Sequence, residues 1–198
     1  MKTSGIILAG GHSTRMGRDK TLMTVDADTL IGRTVKELGK VVDEVIIASN
    51  RPDKYNLPGT IEVPDLFVDI GPLGGIHAGL LAARNQYSFV VAGDMPLFTA
   101  DLVTCLRERI DESFKVIVPE IEDFLQPLCA VYAKACIEDI EQFLAMGFRS
   151  VNSFCQSVRS LIISEKELTE AGLERIKDIF YNVNTPDDYN KLLGHHHS

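Results

Sequence analysis

Short, wholly apolar runs recur along this chain, each bounded by glycine, a polar turn or a helical pattern. They include Ile6-Ile7-Leu8-Ala9, Val45-Ile46-Ile47-Ala48, Phe89-Val90-Val91-Ala92 and Val116-Ile117-Val118. Runs of this length read as strands buried on both faces, which need a sheet covered by helices on each side. Helical spacing separates them. Leu30, Ile31, Val35 and Leu38 lie on one face of a segment over 29–38 that ends at Gly39. Pro72 opens a second helix through about Arg84, with Ile76, Leu80 and Ala83 on one face. Thr60–Val63 and Leu128–Tyr132 read as further strands. Thr99 reads as the N-cap of a helix carrying Leu102, Cys105, Leu106 and Ile110. Helices are expected over 134–145 and 150–156, a strand at 160–163, and a last helix capped by Thr185-Pro186. The expected fold is α/β, a single-domain doubly wound, mainly parallel sheet with helices on both faces in a Rossmann-like arrangement.

Residues 1–193 are read as one domain and Gly194–Ser198 as an affinity-tag remnant. The formal charge of −8 argues against a nucleic-acid surface, which needs a basic stripe. No apolar run is long enough to cross a membrane, and the first strand starts too early to leave room for a signal peptide. Cys105, Cys129, Cys136 and Cys155 form no C-x-x-C pair and read as buried free thiols, as in a reducing cytoplasm.

In doubly wound sheets ligands sit beyond the carboxyl ends of the strands. The chemically suggestive residues fall there. Gly10-Gly11 follows the first strand, and Arg15, Arg18 and Lys20 follow within ten positions, against the acidic balance of the chain. Glycines let backbone N–H groups approach a phosphate, and Arg and Lys supply countercharge. Neither G-x-G-x-x-G nor the ATPase loop is present. Ser49-Asn50-Arg51 follows the second strand, Asp65 the third, and Gly93-Asp94-Met95-Pro96 the fourth. Asp94 is the candidate metal ligand, because Mg²⁺ binds through one or two carboxylates plus phosphates and water. Lys20 and Arg15 are the candidate phosphate cations. Gly71-Pro72-Leu73-Gly74-Gly75 opens a helix with small residues that admit a ligand or close packing. Asn182 and Asn184 could bond a ligand or fix a turn.

In this order and spacing, the segments around 8–20, 50–51, 65, 71–75, 94–96, Gln126-Pro127-Leu128 and Asn182-Val183-Asn184-Thr185-Pro186 resemble the molybdenum cofactor guanylyltransferases, members of the nucleotidyltransferase superfamily. The resemblance implies an enzyme that transfers GMP from GTP to the terminal phosphate of molybdopterin, releasing pyrophosphate. It implies that Leu8, Ala9, Gly10 and Gly11 contact the nucleotide, Lys20 its phosphates, Asp65 the guanosine, and Asp94 both GTP and Mg²⁺. Asn50, Asn182 and Asn184 complete the implied binding set. Some members carry Asn at the end of the second strand, where this chain has Ala48. Gln126, Arg149, Asn182 and Asn184 are the expected acceptor side, with molybdoenzymes or their chaperones as partners for the product. Two other readings stand: a cytidylyltransferase acting on molybdopterin or an isoprenoid precursor, and a non-catalytic nucleotide- or cofactor-binding adaptor. Relatives that use CTP tend to read Leu-Ala-Ala-Gly in the first loop, whereas this chain reads Leu8-Ala9-Gly10-Gly11.

Overall fold

A computed structural model of the chain describes residues 1–10, 20–25, 27–51, 53–67 and 70–195. Gly11, Arg15 and Arg18 of the first loop lie outside the described residues. In chain order the strands are β1 (Ser4–Leu8), β2 (Thr24–Val25), β3 (Asp28–Thr29), β4 (Glu44–Ala48), β5 (Thr60–Val63), β6 (Tyr87–Ala92), β7 (Val116–Ile121), β8 (Phe124–Leu125), β9 (Cys129–Ala133) and β10 (Ser160–Ser164). The helices are α1 (Leu30–Gly39), α2 (Pro72–Ala82), α3 (Ala100–Arg107), α4 (Cys136–Ala145), α5 (Val151–Ser157), α6 (Glu165–Glu170), α7 (Ile176–Ile179) and α8 (Pro186–His195), with a 3-10 turn at Lys20–Leu22.

The main sheet runs β10-β7-β9-β6-β1-β4-β5, with β8 folded back on β7. It is mainly parallel, as the apolar runs require. β9 lies antiparallel to both β6 and β7, and the short β8 antiparallel to β7. Central β1 pairs β4 and β6 in matched register, Leu8 standing opposite Ala48 on one side and Ala92 on the other.

Side chains alternate across a strand, so neighbouring residues feed different layers. Ile7, Ile47 and Val91 pack with Ile31 and Leu38 of α1, Leu102 and Leu106 of α3, and Leu168 of α6. Ile6, Ile46 and Val90 pack with Ile76 and Leu80 of α2, Ile140 of α4 and Phe154 of α5. Burying each such side chain contributes roughly 1.5–3 kcal/mol. α2 lies so close to the sheet that a Cβ at Gly79 would come 2.5 Å from Ile6 Cγ2. A third, smaller cluster of Val25, Leu30, Val183 and Leu192 fastens α8 over the β2–β3 hairpin.

The helix ends partly follow expectation. Thr29 caps α1, accepting from Gly32 N at 3.1 Å. Thr185 accepts from Asp188 N at 3.1 Å, while Asp188 Oδ2 accepts from Thr185 N at 2.8 Å, a reciprocal pair that starts α8. Thr99 differs: it stands at the N-cap of α3 with extended backbone, yet its side chain makes no capping bond. α8 also runs past Leu193 through Gly194 to His195, two residues into the segment read as a tag. All four cysteines are buried and unbridged. Among the described residues no helix is long and apolar enough to cross a membrane.

Candidate active site

The carboxyl ends of β1, β4, β5 and β6 form one rim. Gly93 donates its backbone N–H to the Leu8 carbonyl at 2.9 Å, so Asp94 begins its turn beside the exit of β1. Ala9 N bonds the Ala48 carbonyl at 2.9 Å, and Ser49 N bonds Val63 O at 3.0 Å, carrying the rim across β4 to β5. A Cβ at Gly10 would lie 3.3 Å from Asp65 Oδ2 and 3.6 Å from Asn50 Oδ1. Gly10, Asn50 and Asp65, from three separate strand ends, therefore meet. The small residues of α2 join them: a Cβ at Gly75 would lie 3.1 Å from Leu8 Cδ2 and 3.4 Å from Asp65 Oδ1. The place of Ala48 in the departure noted above is now plain. Its Cβ would be 3.7 Å from that same Gly75 Cβ, while Asn50, two residues on, brings an amide to Gly10.

Asp65 is the electrostatically costly member. Its Oδ1 is buried with no hydrogen-bond partner among the described residues. Desolvation pushes its carboxyl above the ordinary carboxylate range. An unpaired buried acceptor suits a donor that arrives with a ligand. Asp94 is half-buried at the end of β6, held between Gly93 and Met95. Its carbonyl accepts from Val183 N at 3.0 Å, which sets Asn182-Val183-Asn184 against it.

The remaining expected residues divide. Leu8, Ala9 and Gly10 are on the rim, and the 3-10 turn places the backbone of Lys20 next to Thr21, whose methyl carbon would be 3.6 Å from a Cβ at Gly93. Asn182 Nδ2 bonds Phe180 O at 3.0 Å, the turn role the sequence allowed. Asn184 N donates to Asp188 Oδ2 at 3.1 Å. Gln126 lies on the turn before β9, whose Leu128 carbonyl accepts from Ala92 N at 3.0 Å, so it flanks the same rim. Arg149 is exposed in the connection between α4 and α5.

Two residues that sequence reasoning passed over belong to the site's framework. The Tyr55 hydroxyl reaches Ala9 O at 3.2 Å and Thr21 Oγ1 at 2.9 Å. Glu62 accepts backbone N–H bonds from Lys54, Tyr55 and Asn56, the last at 2.6 Å, and so shapes the loop that carries Tyr55. A tyrosine in a loop holding Pro52 and Pro58 gives no periodic signal. His77 is buried in α2 and bonds Glu141 Oε1 through Nε2 at 3.0 Å.

Oxygen donors only, one of them a carboxylate at a strand end, suit Mg²⁺ completed by phosphate oxygens and water. Among the described residues no three His, Cys, Asp or Glu side chains are grouped so as to hold a metal ion.

The MobA-like NTP transferase domain family matches residues 5–161. A probable molybdenum cofactor guanylyltransferase from Clostridium perfringens is 36% identical over 194 residues, covering 98% of this chain and 97% of the relative. One from Pelotomaculum thermopropionicum is 40% identical over 188 residues, covering 95% and 90%. Among solved structures, the molybdopterin-guanine dinucleotide biosynthesis protein A of Archaeoglobus fulgidus superposes with a TM-score of 0.82 at 21% identity, over 96% of this chain and 97% of that one. A 2-C-methyl-D-erythritol 4-phosphate cytidylyltransferase from Thermus thermophilus shares the fold at a TM-score of 0.73 and 16% identity, with both chains fully covered. In sequence along most of its length, and in fold, this chain is a nucleotidyltransferase and belongs to the MobA-like NTP transferase family.

Proposed function

We propose that this enzyme transfers GMP from GTP to the terminal phosphate of molybdopterin and releases pyrophosphate. The observation that carries the reading is the meeting of Gly10, Asn50 and Asp65 on the rim that Asp94 also borders. Relatives named as guanylyltransferases over nearly the full chain support the choice of substrates. Gly10-Gly11 after Ala9, in place of a second alanine, supports guanine over cytosine.

The acceptor needs no activated side-chain nucleophile, because a phosphate monoester is largely dianionic at neutral pH, with a second pKa of ~6. The enzyme's task is to align two anions and offset their repulsion. Lys20 and Arg15 bring positive charge to the triphosphate. Asp65, with its unpaired buried oxygen, accepts from the guanosine and fixes the nucleotide's long axis. Asp94 is the residue that holds Mg²⁺; when bound, that ion neutralises charge on the phosphates. Gln126, Arg149, Asn182 and Asn184 face the acceptor.

Pyrophosphate release should be measured with molybdopterin, Mg²⁺ and each of GTP, CTP, ATP and UTP. Release with GTP alone is expected, and Lys20→Ala should lower the rate by ~10². Preference for CTP would make this a cytidylyltransferase, and binding of GTP without turnover would make it an adaptor.

A further inference from the structure

Tyr55 lies 34 residues from Thr21 and 46 from Ala9 in sequence, yet its hydroxyl touches both. Ala9 stands at the start of the glycine-rich phosphate loop, and Thr21 at its close, directly after Lys20. We infer that Tyr55 is a positioning residue that ties Ala9 to Thr21 and, through the Thr21 methyl, to the Gly93 turn that carries Asp94. The inference rests on the transfer reading above, because it gives Lys20 and Asp94 their tasks.

The direction of the hydrogen bonds follows from the inventory of groups. A phenol has one hydrogen, and a carbonyl can only accept. Tyr55 therefore donates to Ala9 O, and Thr21 Oγ1 donates to Tyr55. Lys54 Nζ adds a longer contact to the same oxygen at 3.4 Å. Burial raises the Tyr55 pKa, against opposing hydrogen bonds from Thr21 and Ser49, so the donor proton is kept at neutral pH. The tyrosine is itself held: its ring is buried, and Glu62 of β5 accepts its backbone N–H at 3.1 Å. On the other side the Thr21 methyl lies against Gly93, the residue before Asp94. A continuous line of contacts thus runs from β5 through Tyr55 and Thr21 to the turn that carries Asp94, passing the backbone of Lys20. Misplacing a reacting group by a fraction of a bond length is costly, whereas Asn50 and Asp65 are carried by the ends of β4 and β5 and not by this loop.

The test uses Tyr55→Phe, which keeps the ring, and Thr21→Val, which keeps the methyl facing Gly93. Amide exchange in Thr21–Met23 of the nucleotide-free protein is expected to speed up about tenfold in either variant, with β4 and β6 unchanged. In the transfer assay kcat should fall about tenfold with KM for the nucleotide changed less than about threefold, and the double variant should lose no more than the worse single one. Unchanged exchange overturns the clamp. So does faster exchange with normal kcat, which would leave Tyr55 a purely structural residue. A wild-type protein that releases no pyrophosphate from any nucleoside triphosphate overturns the transfer reading alone, and the exchange measurement then decides the clamp.

Discussion

Val183 donates its main-chain N–H to the carbonyl of Asp94 at 3.0 Å, tying the segment before the last helix to the turn after β6. The bond joins residues 89 positions apart and needs neither side chain. Replacing the Asp94 side chain therefore leaves it intact.

Asp94→Ala should fold with a Tm near that of the wild type while pyrophosphate release falls by ~10² or more. Steady-state assays across a Mg²⁺ titration, with a melting curve for the same preparation, would check both halves. Near-normal turnover in the folded variant would remove Asp94 from the metal role.

Asp65 makes an opposite pair of demands on stability and binding. Below the unfolded carboxyl pKa of 3.8 both states hold the proton, and the group costs nothing. As pH rises through the raised folded pKa, the native state must carry a desolvated charge, and stability is lost. Asp65→Asn should therefore raise the Tm of the nucleotide-free protein by about 2–4 °C at pH 7. That gain should shrink as the pH is lowered. The same change should raise KM for GTP about tenfold, since a hydrogen bond to a charged acceptor is lost. Melting curves at several pH values, set beside GTP saturation curves, separate the two effects.

Gly79→Ala should destabilise the protein by about 1–3 kcal/mol, although alanine is the better helix former. The new methyl would meet Ile6 Cγ2 at 2.5 Å, in a core layer where β1 cannot retreat from its two parallel neighbours. Urea unfolding would read the change as a lower midpoint at constant slope.

The cysteines should prove inert in the folded state. Burial pushes the Cys136 thiol up to about 12 and raises that of Cys129 further. Iodoacetamide at pH 8 should label the native protein slowly at all four positions and readily after denaturation, as mass spectrometry would report.

The parallel sheet was legible because β1, β4 and β6 are apolar on both faces, a pattern no amphipathic strand produces. The rim residues were legible for a related reason: Asp94 follows the apolar run of β6, and Asp65 follows the short strand Thr60–Val63, each where a strand ends. β2, β3 and β8 escaped because two residues carry no periodicity. Thr99 misled because a capping residue type fixes the helix start but not where its hydroxyl points. Tyr55 and Glu62 were invisible because their roles come from contacts that only the assembled strand ends bring together.

The reversal of β9 has a consequence for how this scaffold can diversify. Because β9 starts at the rim and finishes at the opposite edge, α4 must climb back, antiparallel to α2, as the His77–Glu141 contact records. Its exit loop over 146–150, with exposed Phe148 and Arg149, consequently lies toward the carboxyl-end side of the sheet. A change of length in this loop therefore leaves the ends of β1, β4 and β5 untouched, because none of those strands borders it in the chain or in the sheet order.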